Sequence, residues 1–316
     1  CAPDDAVFNV DVGNDDEYVA TWSPPSVGLT GFLFRYRPVG GAWRYGDLNG
    51  SDDGLSPFEA GLLVAVGAAS AEPAVIATLN LRCRLDDWSA RLPLVVRALS
   101  RIDPDLVALQ EDCVDGGGPS QAAEVRAQLA TFTGRGYELE RVGTHTATPD
   151  GQSFDEGIAV LSAHPIDGSH SVDLPFVHFP RRALAVDVSV KGRPVRLYAT
   201  HFDYGADSAA ARTQSVQAIL ADLPTDRAVL VGGDLNATPD SEALTLLAAA
   251  MADLWHRANP SQPGLTMPAP DPTRRIDYLF ASPSLAGAVV GARLLDERQG
   301  TTWLSDHRGV AAALSW

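Results

Sequence analysis

No run in the sequence approaches the ~18 continuous apolar residues that cross a bilayer as a helix. The best candidate, Ala60 to Ala71, is short, rich in small residues and followed at once by Glu72-Pro73. It reads as a buried strand or helix, so membrane insertion through a helix is not expected. Positive charge is also scarce, with 24 Lys and Arg against 40 Asp and Glu and a net charge of −16. That argues against general affinity for nucleic acid, which depends on neutralising phosphates with basic side chains. It does not exclude an enzyme acting on phosphate diesters, because bound divalent cations reverse the local charge of an acidic cleft. Internal repeats and low-complexity tracts are absent. What remains is an ordinary globular composition, 45% hydrophobic and 20% charged over 316 residues. At roughly 150 residues per domain this is one large domain or two smaller ones.

Cysteine is rare as well, with three in the chain, and the positions are informative. Cys1 stands first and is followed by Ala-Pro-Asp-Asp, which resembles the mature end of a bacterial lipoprotein whose Cys carries the lipid; a boundary of the expressed chain is the alternative. Cys83 and Cys113 each sit just past an expected strand end. If those strands are neighbours, a disulfide joins them and implies an oxidising compartment; two free buried thiols are the alternative. A lipidated Cys1 plus one pair favours an exported protein: secreted, periplasmic or anchored to the envelope.

Residues 1–72 differ from the rest. Short apolar alternations at Tyr18 to Trp22, Gly31 to Tyr36, Trp43 to Gly46 and Gly61 to Ala69 are punctuated by Pro and Gly, the strand-and-turn signal of a small β sandwich. The runs Ala20-Thr-Trp-Ser-Pro-Pro-Ser26, Phe32-Leu-Phe-Arg-Tyr-Arg37 and Leu62 to Pro73 resemble a fibronectin type III module. The segment is short for one, so a trimmed sandwich or a β extension is expected. From 73 to 316 strands and helices interleave. Strands are expected at Val75 to Leu81, Asp105 to Glu111, Tyr137 to Val142, Gly157 to Ser162, Ala183 to Val190 and Val195 to His201. Others follow at Ala228 to Asp234, Ile276 to Ala281, Ala288 to Leu294 and Gly309 to Leu314. Helices are expected at Trp88 to Arg101 with Asp87 as N-cap and Pro93 near its first turns, at Ser120 to Phe132, from a Ser208 cap to Leu220, and at Ser241 to Met251. So many apolar strands require two sheets face to face with helices outside each.

Polar residues collect where these strands end: Asn80, Gln110-Glu111, Thr200-His201 and Gly232-Gly-Asp-Leu-Asn236. Strand ends on one edge of a sheet converge, so distant residues can share one cleft. Asp234 and Asn236 lie two apart, and if the strand continues their side chains share a face. Gly232 and Gly233 would admit a close backbone or substrate. Taken singly, each has an ordinary explanation, since Asp after a strand forms turns and Asn236-Ala-Thr-Pro-Asp240 is rich in turn chemistry. Together with Thr78-Leu-Asn-Leu-Arg82, Glu156-Gly-Ile-Ala-Val-Leu-Ser162, Arg181-Arg-Ala-Leu184, Arg275-Ile-Asp-Tyr278 and Ser305-Asp-His307, the set resembles the endonuclease/exonuclease/phosphatase superfamily over about residues 74–316. This superfamily includes deoxyribonuclease I, bacterial sphingomyelinases, inositol-polyphosphate phosphatases and abasic-site endonucleases.

The resemblance implies an α/β (α+β) chain folded as a four-layer αββα sandwich of the deoxyribonuclease I-like type, and a reaction at phosphorus. It implies that Glu111 and Asp306, with Asn80, hold Mg²⁺, for which Mn²⁺ could substitute; a hard cation that keeps several waters needs only one or two carboxylates. Asp234 would orient and deprotonate the attacking water, with Asn236 fixing water and phosphoryl oxygen. His307 would stabilise the developing charge, its other ring nitrogen held by Asp277. Glu156 would hold His201 in the same way, and Arg181 or Arg182 would contact a phosphate. Trp88, Trp303 and Tyr278 read as packing residues. Thr200-His201 departs from the Pro-Asn pattern usual in the abasic-site branch. A nuclease-like phosphodiesterase working as a monomer is the expectation, with a sphingomyelinase-like or phosphomonoesterase activity as alternatives. For a lipid head group as substrate, Phe176-Val-His-Phe-Pro180 is the one apolar candidate for membrane contact. A non-enzymatic alternative is an inactive adapter that docks a partner through residues 1–72.

Overall fold

The computed structural model describes residues 73–148 and 151–316 in full, and six short strands within 6–65 as backbone. The chain divides into two compact units, Cys1–Ala68 and Ala69–Trp316. In the first, β1 (Ala6–Asn9) pairs antiparallel with β2 (Glu17–Ala20). The remaining strands are β3 (Gly28–Phe32), β4 (Phe34–Tyr36), β5 (Arg44–Gly46) and β6 (Gly61–Ala65), with β3 antiparallel to β6 and β4 to β5. The side-chain packing that a fibronectin type III-like module requires, and the Cys1 anchor, lie outside the described residues.

In the second unit the order is β7 (Ala74–Asn80), α1 (Trp88–Ile102), β8 (Leu106–Asp115), α2 (Gln121–Thr133), β9 (Glu138–Ala147) and β10 (Phe154–Ser162). It continues with β11 (Ile166–Leu174), β12 (Arg181–Val190), β13 (Arg193–His201), α3 (Ala209–Ala221), β14 (Ala228–Asp234), α4 (Glu242–Ala250), β15 (Ala252–Asp253) and α5 (Leu254–Ala258). The chain closes with β16 (Asp277–Ala281), β17 (Val289–Leu295), a ribbon of β18 (Arg298–Gln299) and β19 (Thr302–Trp303), and β20 (Gly309–Leu314). One six-stranded sheet runs β17-β20-β7-β8-β10-β9 and the other β11-β12-β13-β14-β16-β15. Each holds one parallel pair, β7 with β8 and β13 with β14, and each pair is joined by a helix, α1 or α3.

Alternation along the strands builds the layers. Ile76, Ala108, Leu184, Leu197, Leu230 and Val310 point between the sheets into one buried core. Their neighbours Tyr198, Val229, Val231 and Phe280 face the other way and pack against Val216 and Ile219 of α3 and Leu244 and Leu247 of α4. On the first sheet Ala77, Leu79, Val107 and Leu109 are buried on the side away from that core, toward α1 and α2. Strands covered on both faces read as continuous apolar runs, which is why they are visible in the sequence. The fold is the four-layer αββα sandwich.

Asp87 caps α1 as expected, accepting from Ala90 N, and Ser120, expected inside the second helix, instead caps α2 by accepting from Ala123 N. Ser208 does not cap α3; its hydroxyl donates to the buried Asp203 carboxylate instead, at 2.9 Å. Strand β11 has no counterpart among the expected elements. It is an edge strand whose Asp167, Ser169, Ser171 and Asp173 face solvent, a polar pattern that blunts pairing with other chains and hides the strand from a search for apolar runs.

Candidate active site

The two parallel pairs end at the same rim of the sandwich. In the second sheet the register sets His201 beside Asp234 and Asp234 beside Asp277, so three functional side chains stand in a row on adjacent strands. In the first sheet Asn80 pairs with Gln110, and Glu111 follows at a β-bulge where the β8–β10 register shifts. Asn80 ties the sheets together: its amide donates to Glu111 Oε1 at 2.9 Å and to Asp234 Oδ2 at 3.2 Å. Ser305-Asp306-His307 enters from the loop before β20. Gly233 is needed for the row to form. A Cβ there would lie 1.9 Å from the carbonyl oxygen of Thr200, so its role is close strand packing and not substrate access.

Beyond Asp234 the strand does not continue. Asn236 adopts φ +47°, and its N–H donates back to Asp234 Oδ1 at 2.9 Å. The shared face expected from strand continuation is therefore replaced by a left-handed turn, which returns the Asn236 amide to 3.1 Å from His201 Nε2. Glu111 is also left-handed, at φ +51°. Such conformations cost a non-glycine residue about 1–3 kcal/mol each and gather at functional sites.

His307 and Asp277 form a buried pair, Nδ1 to Oδ2 2.9 Å and to Oδ1 3.1 Å. Burial opposes the charged imidazole, but Asp277, Asp234 and Asp306 outweigh it and raise the His307 pKa to about 10. Its Nε2–H is thus a permanent donor near neutrality, 3.8 Å from Asp234 Oδ2. Burial, reinforced by Asp277 and Glu111 and opposed by His307, pushes Asp234 up to about 7. His201 is driven well below its ordinary range by burial and the Arg181 charge. Arg181 Nη1 lies 3.0 Å from His201 Nδ1, and a guanidinium only donates. Nδ1 therefore accepts, while Nε2 stands 3.1 Å from Asn236 Nδ2 and 3.5 Å from Asp234 Oδ2. A neutral and a charged imidazole flank one carboxylate of near-neutral affinity for protons.

Several assignments change. Glu156 does not hold His201: its Oε1 is 3.9 Å from Nδ1, and Arg181 sits there instead, 3.4 Å from the same oxygen. Burial and Glu111 raise Glu156 to about 7, with Arg181 pulling the other way. Of the two arginines only Arg181 lines the cleft; Arg182 turns outward to Asp173 at 2.9 Å. Asn80 directs its amide nitrogen at Glu111 and its oxygen at Arg82 N, so in this structure it orients the carboxylate. Asp234, Asp277 and His307 form the tightest cluster of candidate metal ligands among the described residues. Its imidazole Nδ1 is engaged by Asp277 at 2.9 Å, and a hard cation prefers oxygen donors. Glu111 and Asp306 fit a hard cation better: both are oxygen donors lining the same cleft, Glu111 Oε2 accepts no hydrogen bond from the described residues, and Asp306 already attracts the Arg82 guanidinium.

A disulfide joins Cys83 to Cys113, with Cα atoms 5.0 Å apart. Trp88 and Tyr278 are buried packing residues, and Trp303 sits between the guanidinium groups of Arg298 and Arg308.

A sequence model of the Endonuclease/Exonuclease/phosphatase family matches residues 77–307. The chain belongs to the endonuclease/exonuclease/phosphatase family. As the family's name says, its members are hydrolases of phosphoester bonds. No curated protein matches the sequence. Among solved structures, a family protein from Leptotrichia buccalis is similar at TM-score 0.65 and 18% identity, covering 77% of this chain and 100% of its own. One from Beutenbergia cavernae reaches 0.65 and 24%, covering 78% and 72%. The human Nocturnin catalytic domain, solved with a bound sulfate, reaches 0.61 and 19%, covering 77% and 93%. At these identities the likeness is one of fold.

Within this family member two supporting residues escaped sequence reasoning. Arg91 is buried in α1, and its guanidinium donates to the carbonyls of Leu81, Cys83, Leu85 and Leu304 at 2.7–3.1 Å. It thereby fixes both the loop after Asn80 and the segment leading to Asp306-His307. The signal was a charged residue at an apolar-face spacing of the helix, one turn after Trp88 and one before Val95. Asp203, two residues past His201, is buried and accepts from Val177 N at 2.6 Å and His178 N at 3.0 Å. Nothing in its local sequence distinguishes it from a turn former.

Proposed function

We propose that the chain is a divalent-cation-assisted phosphodiesterase that cleaves a nucleotidyl ester by in-line attack of water, outside the cytoplasm. The observation that carries this is Asp234, a carboxylate of near-neutral pKa flanked by a charged donor and a neutral imidazole, all opening on one cleft. Asp234 accepts the proton of the attacking water, a role that calls for a pKa near the working pH. His307, held by Asp277, donates through Nε2 to a phosphoryl oxygen as charge accumulates there. Asn236 and Arg181 bracket His201, with Arg181 Nη1 at 3.0 Å from Nδ1 and Asn236 Nδ2 at 3.1 Å from Nε2, and so hold the ring against the reacting carboxylate. Glu111 and Asp306 would hold Mg²⁺, or Mn²⁺ in its place, which when bound supplies positive charge to the phosphoryl group. The sulfate in the similarly folded Nocturnin domain is consistent with a tetrahedral oxyanion as ligand. The Cys83–Cys113 disulfide supports an oxidising compartment.

Lipid phosphodiester cleavage is the second reading, favoured by Phe176 and Val177, which are 49% and 53% exposed beside the cleft loop.

Hydrolysis of bis-p-nitrophenyl phosphate at fixed Mg²⁺ tests the reaction class. His307→Ala and Glu111→Gln are each expected to lower kcat/KM by roughly 10²–10³-fold or more, and EDTA to abolish turnover until Mg²⁺ or Mn²⁺ is returned. Full activity in the folded His307→Ala protein refutes the assignment.

A further inference from the structure

An aromatic ladder stands on the rim of the cleft and takes no part in the chemistry above. His145 stacks on Phe179 with centroids 4.5 Å apart and planes 13° from parallel, and Tyr204 stacks on His178 at 4.5 Å. The two pairs meet through Phe179 and Tyr204 at 6.1 Å and 26°, the looser step. Phe179 and Tyr204 are 38% and 43% exposed, and with His145 they line the same cavity, about 510 Å³, as His201, Asp234 and His307.

We propose that this ladder is a stacking platform for the nucleobase of the substrate, so that the enzyme takes a nucleotide or a single-stranded end and not duplex. The inference rests on the phosphodiesterase reading of the site and names what is attached to the phosphate.

Four observations carry it. The rings share a common orientation, with planes 13° apart for His145–Phe179, 28° for His178–Tyr204 and 26° for Phe179–Tyr204, whereas a membrane contact needs only apolar bulk. The strand-to-strand segment bearing Phe179 is anchored: Asp203 accepts from the N–H groups of Val177 and His178 and from Ser208, so the platform is presented without further ordering. The platform is linked to the phosphate end, because His145 Nε2 lies 3.7 Å from Glu156, which itself contacts Arg181. Finally, among the described residues Arg181 and Arg274 are the only basic side chains besides histidine lining the cavity, against four carboxylates at Glu111, Glu156, Asp234 and Asp306. So few cations cannot track a duplex backbone. A cavity of this size fits a single nucleotide, and stacking supplies affinity that charge does not.

The test is competitive inhibition of bis-p-nitrophenyl phosphate hydrolysis, at fixed Mg²⁺, by AMP and by ribose 5-phosphate. They share the phosphate and sugar and differ in the base. AMP is expected to inhibit about tenfold more tightly. Phe179→Leu and Tyr204→Leu should collapse that ratio toward one while the inhibition constant of ribose 5-phosphate stays put, and Tyr204→Phe should keep the ratio. Equal inhibition by the two in the unmodified protein overturns the platform and leaves the phosphodiesterase reading intact. Absence of hydrolysis removes both. Co-sedimentation with phosphatidylcholine vesicles that Phe179→Leu abolishes, together with equal inhibition, reassigns the patch to a lipid surface and overturns the proposal.

Discussion

Replacing Asp277 with Asn removes one charge from the site and little else. The Asn oxygen can still accept from His307 Nδ1, so ring orientation is preserved while the ion pair is lost. Asp277 is fully buried and its oxygens lie 2.9 and 3.1 Å from Nδ1. An ion pair at such a distance, with an effective dielectric constant of about 20, is worth on the order of 4 kcal/mol. At about 1.4 kcal/mol per pKa unit, its removal lowers the His307 pKa by roughly three units. The ring that stays charged up to about 10 in the unmodified protein should then lose its proton at roughly pH 7, from the same arithmetic. The sign follows from the folded pKa being raised. Charge on His307, and the stability it contributes, is fully present below the unfolded value and disappears as pH rises through the folded one. The loss should therefore move from about 10 toward neutrality. The acidic side is governed by Asp234, which must be deprotonated to act and so loses function as pH falls through about 7. The kcat/KM–pH profile is the assay, with the imidazole titration followed by NMR. Asp277→Asn should convert a plateau above neutrality into a descending limb. An unshifted alkaline limb in the folded variant would show that His307 does not act as a charged donor.

Reduction of Cys83–Cys113, or the double substitution to Ser, opens a loop with a sequence separation of 30. Chain entropy puts its contribution near ~3.5 kcal/mol, and for a domain of this size the melting temperature should fall by roughly 7–14 °C. Differential scanning fluorimetry with and without reductant, with reduction verified by mass, checks this; an unchanged Tm after verified reduction contradicts it. Arg91→Met leaves the carbonyls of Leu81, Cys83, Leu85 and Leu304 without their donor. It should cost on the order of 4 kcal/mol, read as a lower urea midpoint, with kcat falling because the same guanidinium fixes the approach to Asp306-His307.

The layers of this sandwich were legible because both faces of most strands are covered: Val75 to Leu81, Val195 to His201 and Ala228 to Asp234 are mostly apolar and carry their functional polar residues at or near the C-terminal end. Edge strand β11 was not, since half its side chains meet water. The reacting residues stood out as polar groups at the ends of apolar runs, and it was the resemblance of the whole motif set to a known superfamily that implied phosphoester cleavage. Local sequence could not say which neighbour each would find. Arg181, and not Glu156, holds His201, because β12 lies beside β13 and turns alternate side chains to opposite faces, sending Arg181 inward and Arg182 out. Asn236 reaches the site through a left-handed turn and not along a strand. The pKa values of Asp234 and His307 arise from burial and, apart from the neighbouring Asp306, from charges distant in the chain: Asp277 and Asp234 for His307, and His307, Asp277 and Glu111 for Asp234. Strand patterning determines the layers, and the ordered motifs carry the family resemblance that names the reaction class; ring partners, protonation states and the aromatic rim depend on distances that only the packed sheets set.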